Sequence, residues 1–198
     1  MTAIPDRPAL RRDTIVATAR EMIVADGVDA LSLRGLARRL GVTAPALYSH
    51  VDNKEALIRA VAEIEIGRLA EDFDSVQDAD PVERIRAQSR AYVAYARENF
   101  ELFSVILLAP PDLDVASLPP DAPSEMTTQV FASASSAIDD AIATGAIASD
   151  NPLLVALTLW SGAHGVATVL RLGLGLPPEL EDAMIDEITD RILAGYRP

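Results

Sequence analysis

Almost every segment of this chain spaces its apolar residues three and four positions apart, and none alternates them with period two. A helix returns to the same face every 3.6 residues and a strand every two, so this spacing restricts the fold to helices packed on helices. Ile15, Ala19, Met22 and Ile23 form one such stripe, with Arg12, Asp13, Arg20 and Glu21 on other faces and Asp26-Gly27 as a stop. Leu33, Leu36, Ala37 and Leu40 form a second, with Ser32 placed to cap it and Gly41 to end it. Thr43 can open a third, short helix with Pro45 in its first turn, where a missing N–H costs nothing, and with Leu47 and Val51 pointing inward. Asp52 and Glu55 fit a capping box for a long fourth helix running through Ile58, Val61, Ile64 and Leu69.

Beyond it, Asp80-Pro81 opens a helix to about Asn99, and FELFSVILL continues as a short one. The run APPDLDVASLPPDAPSE holds five prolines and is expected to be a loop. Helices over about 125–144, 152–172 and 179–194 complete an all-α chain with no repeat of fixed length. Its 198 residues suit one small module, 1–53, and one larger body, 54–198. With 49% hydrophobic residues a packed core is available, and the absence of cysteine excludes disulfides, thiolate zinc sites and cysteine nucleophiles. The N-terminal MTAIPDRPALRRD has no apolar stretch of the kind a secretory signal needs, so a cytoplasmic protein is expected.

Charge is divided unevenly between these two parts. Residues 1–60 hold nine Lys+Arg against seven Asp+Glu, whereas 61–198 hold eight against 23, within a total of -13. A polyanion is therefore tolerated by the N-terminal module and repelled by the body.

Helix, glycine turn and second helix at these lengths are the sequence form of a helix-turn-helix, whose second helix enters the major groove of DNA. Ala44, Pro45 and Ala46 are small enough to bring backbone close to base edges, and Tyr48, His50 and Lys54 can donate to phosphates. Lys54 also stands in the first turn of the fourth helix, where free N–H groups favour an anion.

The segment SLRGLARRLGVTAPALYSHVDNKEAL, within about residues 10–60, resembles the N-terminal domain of the tetracycline-repressor (TetR) family of bacterial transcription regulators: it has that family's LA…LGV turn, LY.H pair and K..L helix start. Val51 stands where many members have phenylalanine and remains apolar. The resemblance implies that Ser32, Thr43, Tyr48, His50 and Lys54 hold the DNA backbone. It implies that Ala44, Pro45, Ala46 and Ser49 face bases, and Arg34, exposed in the first turn of helix two, is the candidate for a bidentate guanine contact. It further implies a homodimer on a double-stranded inverted-repeat operator, probed by a body that dimerises through its last two helices and releases DNA, as a repressor does, on binding a small effector. Arg38 and Arg39 are expected as solvated charges or distant phosphate contacts.

In the body, Trp160-Ser161-Gly162-Ala163-His164-Gly165 is similar to a W..HG signature in a subgroup of that family. Trp160 and His164 share a face, while Gly162 and Gly165 mark a close approach of two helix backbones, within the bundle or across a dimer. Tyr92, Tyr95, Phe103, Trp160 and His164 are the candidate effector-wall residues, in a cavity between the fourth helix and the 80–172 helices; for His164 the alternative is a hydrogen-bonded core group. Leu153 to Leu170 carries no formal charge, but Thr158, Ser161, His164 and Thr168 interrupt it and no basic or aromatic belts flank it, so a helix buried in a dimeric bundle is expected in place of a membrane span. No HExxH, GxSxG or phosphate loop occurs, and the pairs Asp139-Asp140 and Glu181-Asp182 read as exposed helix-face carboxylates. No enzyme, metal or cofactor is expected. The competing reading is a small-molecule-binding protein whose helix-turn-helix is vestigial.

Overall fold

Ser32 accepts a hydrogen bond from the Gly35 N–H at 3.1 Å, which starts a helix at Leu33, and Gly41 ends it eight residues on with φ 68°. Only glycine takes that left-handed turn at no steric cost. The computed structural model describes residues 10–108 and 125–198, so most of the proline-rich run lies outside the described residues. Among the described residues all regular structure is helical: α1 (Arg12–Asp26), α2 (Leu33–Leu40), α3 (Ala44–Tyr48), α4 (Lys54–Ser75), α5 (Pro81–Glu98), α6 (Phe100–Leu108), α7 (Glu125–Ala143), α8 (Pro152–Leu170) and α9 (Pro178–Ala194).

Three apolar cores hold them. The first joins α1 (Ile15, Ala19, Ile23) to Leu36, Leu47, Val51 and the start of α4 (Leu57, Val61). The second is built by Leu69 and Phe73 at the far end of α4 with α5, α8 and α9; the third, by α5, α7, α8 and α9 around Ile138, Val155 and Leu193. α5, α8 and α9 serve both the second and the third core, and two further helices connect the first core to the second. α4 passes from the first into the second, and α6 places Leu102 and Val105 in the first and Phe103 in the second.

Several expectations are corrected. The cap of α4 is Asn53, whose Oδ1 accepts from the Ala56 N–H at 2.7 Å, because the helix starts one residue later than an Asp52 cap requires. Ile64 is 38% exposed, and the neighbouring inward position is taken by Glu65, which has no exposed surface. α8 is long and apolar enough to cross a membrane, and a third of that stretch is buried within the single chain, the rest being surface that the expected dimeric bundle would have to cover. Its two glycines differ, since a Cβ on Gly162 would lie 2.8 Å from Ile192 Cδ1 of α9, whereas Gly165 has nothing within 4 Å. Asp139, Asp140 and Asp182 are exposed as expected and Glu181 is half-buried, and three of the four meet an arginine of α5: Arg84 pairs with Asp140, and Arg97 with Asp182 at 3.2 Å and Glu181 at 3.8 Å. With Arg86–Asp190 at 2.7 Å and Arg90–Asp186 at 2.5 Å, α5 and α9 are laced antiparallel by arginine–carboxylate rungs.

Candidate nucleic-acid interface and effector-side cluster

α3 is five residues long, too short to persist by its own hydrogen bonds. It is held by Leu47, fully buried in the first core, and by Val51 just after it, 7% exposed. Burying one leucine contributes about 1.5–3 kcal/mol, enough to pin one helical turn. Thr43 Oγ1 accepts from the Ala46 N–H at 3.4 Å, and the Ser49 hydroxyl donates back to the Ala46 carbonyl at 2.8 Å. With Leu47 facing in, the outward residues are Thr43, Pro45, Ala46, Tyr48, Ser49 and His50, with Ala44 half-buried; Tyr48 is 54% exposed.

Lys54 lies beside this surface at the first position of α4, and its Nζ donates to the Asp29 carbonyl at 3.5 Å. Ser32 is exposed at the start of α2; the Gly35 that its hydroxyl caps has no Cβ, and one added there would lie 2.9 Å from that same oxygen. Arg34 and Arg38 are exposed with no carboxylate partner among the described residues, while Arg39 meets Glu21 at 3.5 Å. Of the residues expected to touch DNA, Ser32, Arg34, Thr43, Pro45, Ala46, Tyr48, Ser49 and His50 are exposed, and Ala44 and Lys54 are half-buried.

Four of the five expected effector-wall residues also come together. The Trp160 indole N–H donates to the Tyr92 hydroxyl oxygen at 3.2 Å, and that hydroxyl is 2.8 Å from His164 Nδ1. Indole is a donor only, so the Tyr92 oxygen accepts from it, and the imidazole tautomer sets which partner donates in the Tyr92–His164 bond. Phe103 packs edge-on against Tyr92 at 5.7 Å and lies 5.6 Å from the His164 ring. Burial pushes the Tyr92 hydroxyl up to about 12, and burial lowers His164 from its ordinary value, so both stay neutral near pH 7.

Tyr95 is diverted from that group. Its hydroxyl donates to Glu65 Oε2 at 2.7 Å, and burial, then the Glu65 hydrogen bond and charge, holds it far above the usual phenol range. Glu65 Oε1 also receives Arg20 at 2.6 Å from α1 and Arg68 at 3.1 Å from α4. This four-residue junction ties α1 of the DNA-facing module to α5 of the body, and reading by apolar periodicity missed it because Glu65 occupies an inward position. The signal was there: Glu65 stands four before Leu69 and four after Val61. A pocket of about 140 Å³ opens separately between α5, the start of α6 and the end of α8, with no α4 residue in its wall.

An all-helical chain with a capped helix-turn-helix in front of a helical body is the architecture of a one-component regulator. Comparison with known proteins assigns the family. Residues 15–61 match the model for bacterial regulatory proteins of the tetR family, and residues 85–195, more than half of the chain, match the tetracyclin repressor-like C-terminal domain. The chain belongs to the TetR family. It is 29% identical over 196 residues to an uncharacterized HTH-type transcriptional regulator of Mycobacterium tuberculosis, covering 96% of this chain and 83% of that relative. It is 48% identical over 54 residues to the class C tetracycline repressor protein of Escherichia coli, a match spanning 27% of this chain and 25% of that protein. The whole fold superposes on a protein of unknown function from Rhodococcus sp. RHA1 with TM-score 0.70 and 26% identity, over 98% of this chain and 100% of that one. A TetR variant from Acinetobacter baumannii AYE solved with minocycline shares the fold at TM-score 0.68 and 19% identity, over 94% and 96% of the two chains.

Proposed function

We propose that this chain is a cytoplasmic, homodimeric transcription regulator that binds an inverted-repeat operator through residues 1–53 and is released from it when residues 54–198 bind a small effector. The observation that carries this is the outward surface of α3, small and polar at Ala44, Pro45, Ala46 and Ser49 and flanked by the unpaired Arg34, on a module free of the body's acidic charge. Small side chains let the helix backbone sit deep in the groove, and hydrogen-bond donors at its edges fix its register on phosphates. Its role is regulatory, with the Trp160–Tyr92–His164 chain acting as part of an effector wall and not as a proton relay for catalysis.

Release follows from spacing. Two recognition helices must stand about 34 Å apart to enter successive major grooves. An effector needs only to favour a dimer in which they do not, and it can shift that equilibrium by no more than its differential affinity for the two states. α4 and α6 are the elements that reach from the body into the first core, so they are where such a change would pass.

The test is selection of bound duplexes from a random-sequence pool at about 0.1–0.15 M salt, where non-specific electrostatic binding is suppressed. Recovery of an inverted repeat is the expected result. Failure to enrich any sequence, from protein that is folded and dimeric, would leave a small-molecule binder with a vestigial helix-turn-helix.

A further inference from the structure

The pocket between α5, α6 and α8 combines apolar lining with a cation that meets no carboxylate among the described residues. Val93, Ala96, Ala167 and Leu170 line it together with Arg97, Phe100 and Arg171. Arg97 is already engaged by Asp182 and Glu181. Arg171 has no carboxylate partner among the described residues; its guanidinium carbon lies 4.3 Å from the centroid of the Phe100 ring. A guanidinium stacked on an aromatic face keeps its in-plane N–H groups available, which is the geometry a carboxylate meets with two parallel hydrogen bonds. In a body that carries most of the chain's acidic residues, a half-buried arginine left unpaired beside an apolar pocket is a place for a small anion.

We propose that this pocket is an effector subsite for a small monocarboxylic acid, its carboxylate on Arg171 and its ring or short chain on the α5–α8 floor. The inference rests on the effector-responsive reading above. Size limits the body: an apolar cavity of about 150 Å³ admits one benzene-sized ring, and this pocket measures about 140 Å³. Charge limits the head. A cationic ligand meets two guanidinium groups, a neutral one leaves Arg171 unpaired, and a polyanion also meets Asp182 and Glu181. Occupancy acts on the right element, because Phe100 opens α6, whose Leu102 and Val105 lie in the first core and whose Glu101 carboxylate would stand 3.2 Å from a Cβ on Gly27 at the end of α1.

The experiment is calorimetric titration of the full chain, without DNA, with benzoate, benzamide and benzylamine. Benzoate is expected to bind saturably and at least about tenfold more tightly than either control, in line with the strength of a charge-assisted pair. Arg171→Gln should lose at least about tenfold in benzoate affinity, and Arg171→Lys, which keeps the charge but not the fork, should fall between. Equal binding of benzoate and benzamide, or no saturable binding of benzoate, overturns the proposal, and both are read on the unaltered chain whether or not the variants fold. The same ligands are then added to the selected duplex complex. Release by benzoate in the parent and not in Arg171→Gln supports the effector role; binding without release overturns it. Should no duplex be selected, the DNA reading fails by itself, and the titration still decides the site.

Discussion

Glu65 carries a carboxylate at a position with no exposed surface, and what makes that tolerable is the three donors converging on it from α1, α4 and α5. Glu65→Gln keeps the shape but removes the charge that Arg20 and Arg68 answer, so a loss of about 1–3 kcal/mol is expected in urea denaturation. An unchanged midpoint would mean the junction contributes no net stability. Arg34 and Lys54 separate base reading from phosphate holding. Lys54→Ala should weaken all duplexes alike and lower the slope of log affinity against log salt by about one, whereas Arg34→Ala should mainly flatten preference at one base pair of each half-site. Equal losses on selected and random duplexes in Arg34→Ala would remove its base-reading role. His164 titrates in the other direction from a salt-bridged histidine. Burial lowers its folded value, so below about 6.5 the unfolded chain takes up the proton first and stability falls as pH drops toward the lowered folded value. His164→Asn should remove that part of the slope between about pH 7.5 and 5, read as the difference between variant and parent in chemical denaturation; parallel profiles would show that His164 is not held neutral by the fold.

At the scale of helices, a comparison of the interior glycines Gly67 of α4 and Gly162 of α8 isolates packing from propensity. Replacing either by alanine gains about 0.5–1 kcal/mol from reduced backbone freedom. A Cβ on Gly67 meets nothing within 4 Å, so that gain should appear in full. On Gly162 it would meet Ile192 and Ile188 of α9 at 2.8 and 3.2 Å, so the helices must part and the gain should be cancelled or reversed. Gly162→Ala less stable than Gly67→Ala by about 1 kcal/mol or more is the expected outcome, and equal values would mean α9 yields freely. The same contrast explains what the sequence could disclose. Caps and periods are local, so Ser32, Gly41, Thr43 and Asp80 mark their helices without knowledge of the rest of the chain. Partners across helices are not local. The Arg86–Asp190 and Arg90–Asp186 rungs join residues about a hundred positions apart, and nothing in either helix alone says which carboxylate faces which arginine. Tyr92 with His164 was within reach because aromatic residues on a few body helices are scarce; the Tyr95–Glu65 bond was not, because only the packing of α4 on α5 shows that Glu65 faces it.

For the molecule as a whole, the outer side of α8 is an exposed apolar surface that the function of a single chain does not use. Leu153 is 47% exposed and Leu154 53%, and Leu157, Ser161, Gly165 and Thr168 continue along that side of the helix. Its hydroxyls do not make it polar, because Thr158, Ser161 and Thr168 each donate to the carbonyl four residues earlier and so present mostly carbon outward. A single chain has no use for such a stripe, and a second copy would cover it, with Gly165 allowing two helix backbones to approach. The body's acidity opposes that association, but on α9 Asp182, Asp186 and Asp190 are each answered by an arginine of α5, which reduces the repulsion between copies where they would meet. Gly165→Glu puts a carboxylate in the middle of the stripe at a position where an added Cβ meets nothing within 4 Å of its own chain. It is expected to convert a dimer of the 21.1 kDa chain into a monomer in analytical ultracentrifugation, with helical content unchanged. Affinity for the selected inverted repeat should then fall at least about a hundredfold, because the second half-site is no longer bound at the high effective concentration that a tethered partner provides. A Gly165→Glu protein that stays dimeric would move the interface off this face of α8, and one that is monomeric yet binds the full repeat undiminished would show that operator recognition does not need the paired recognition helices.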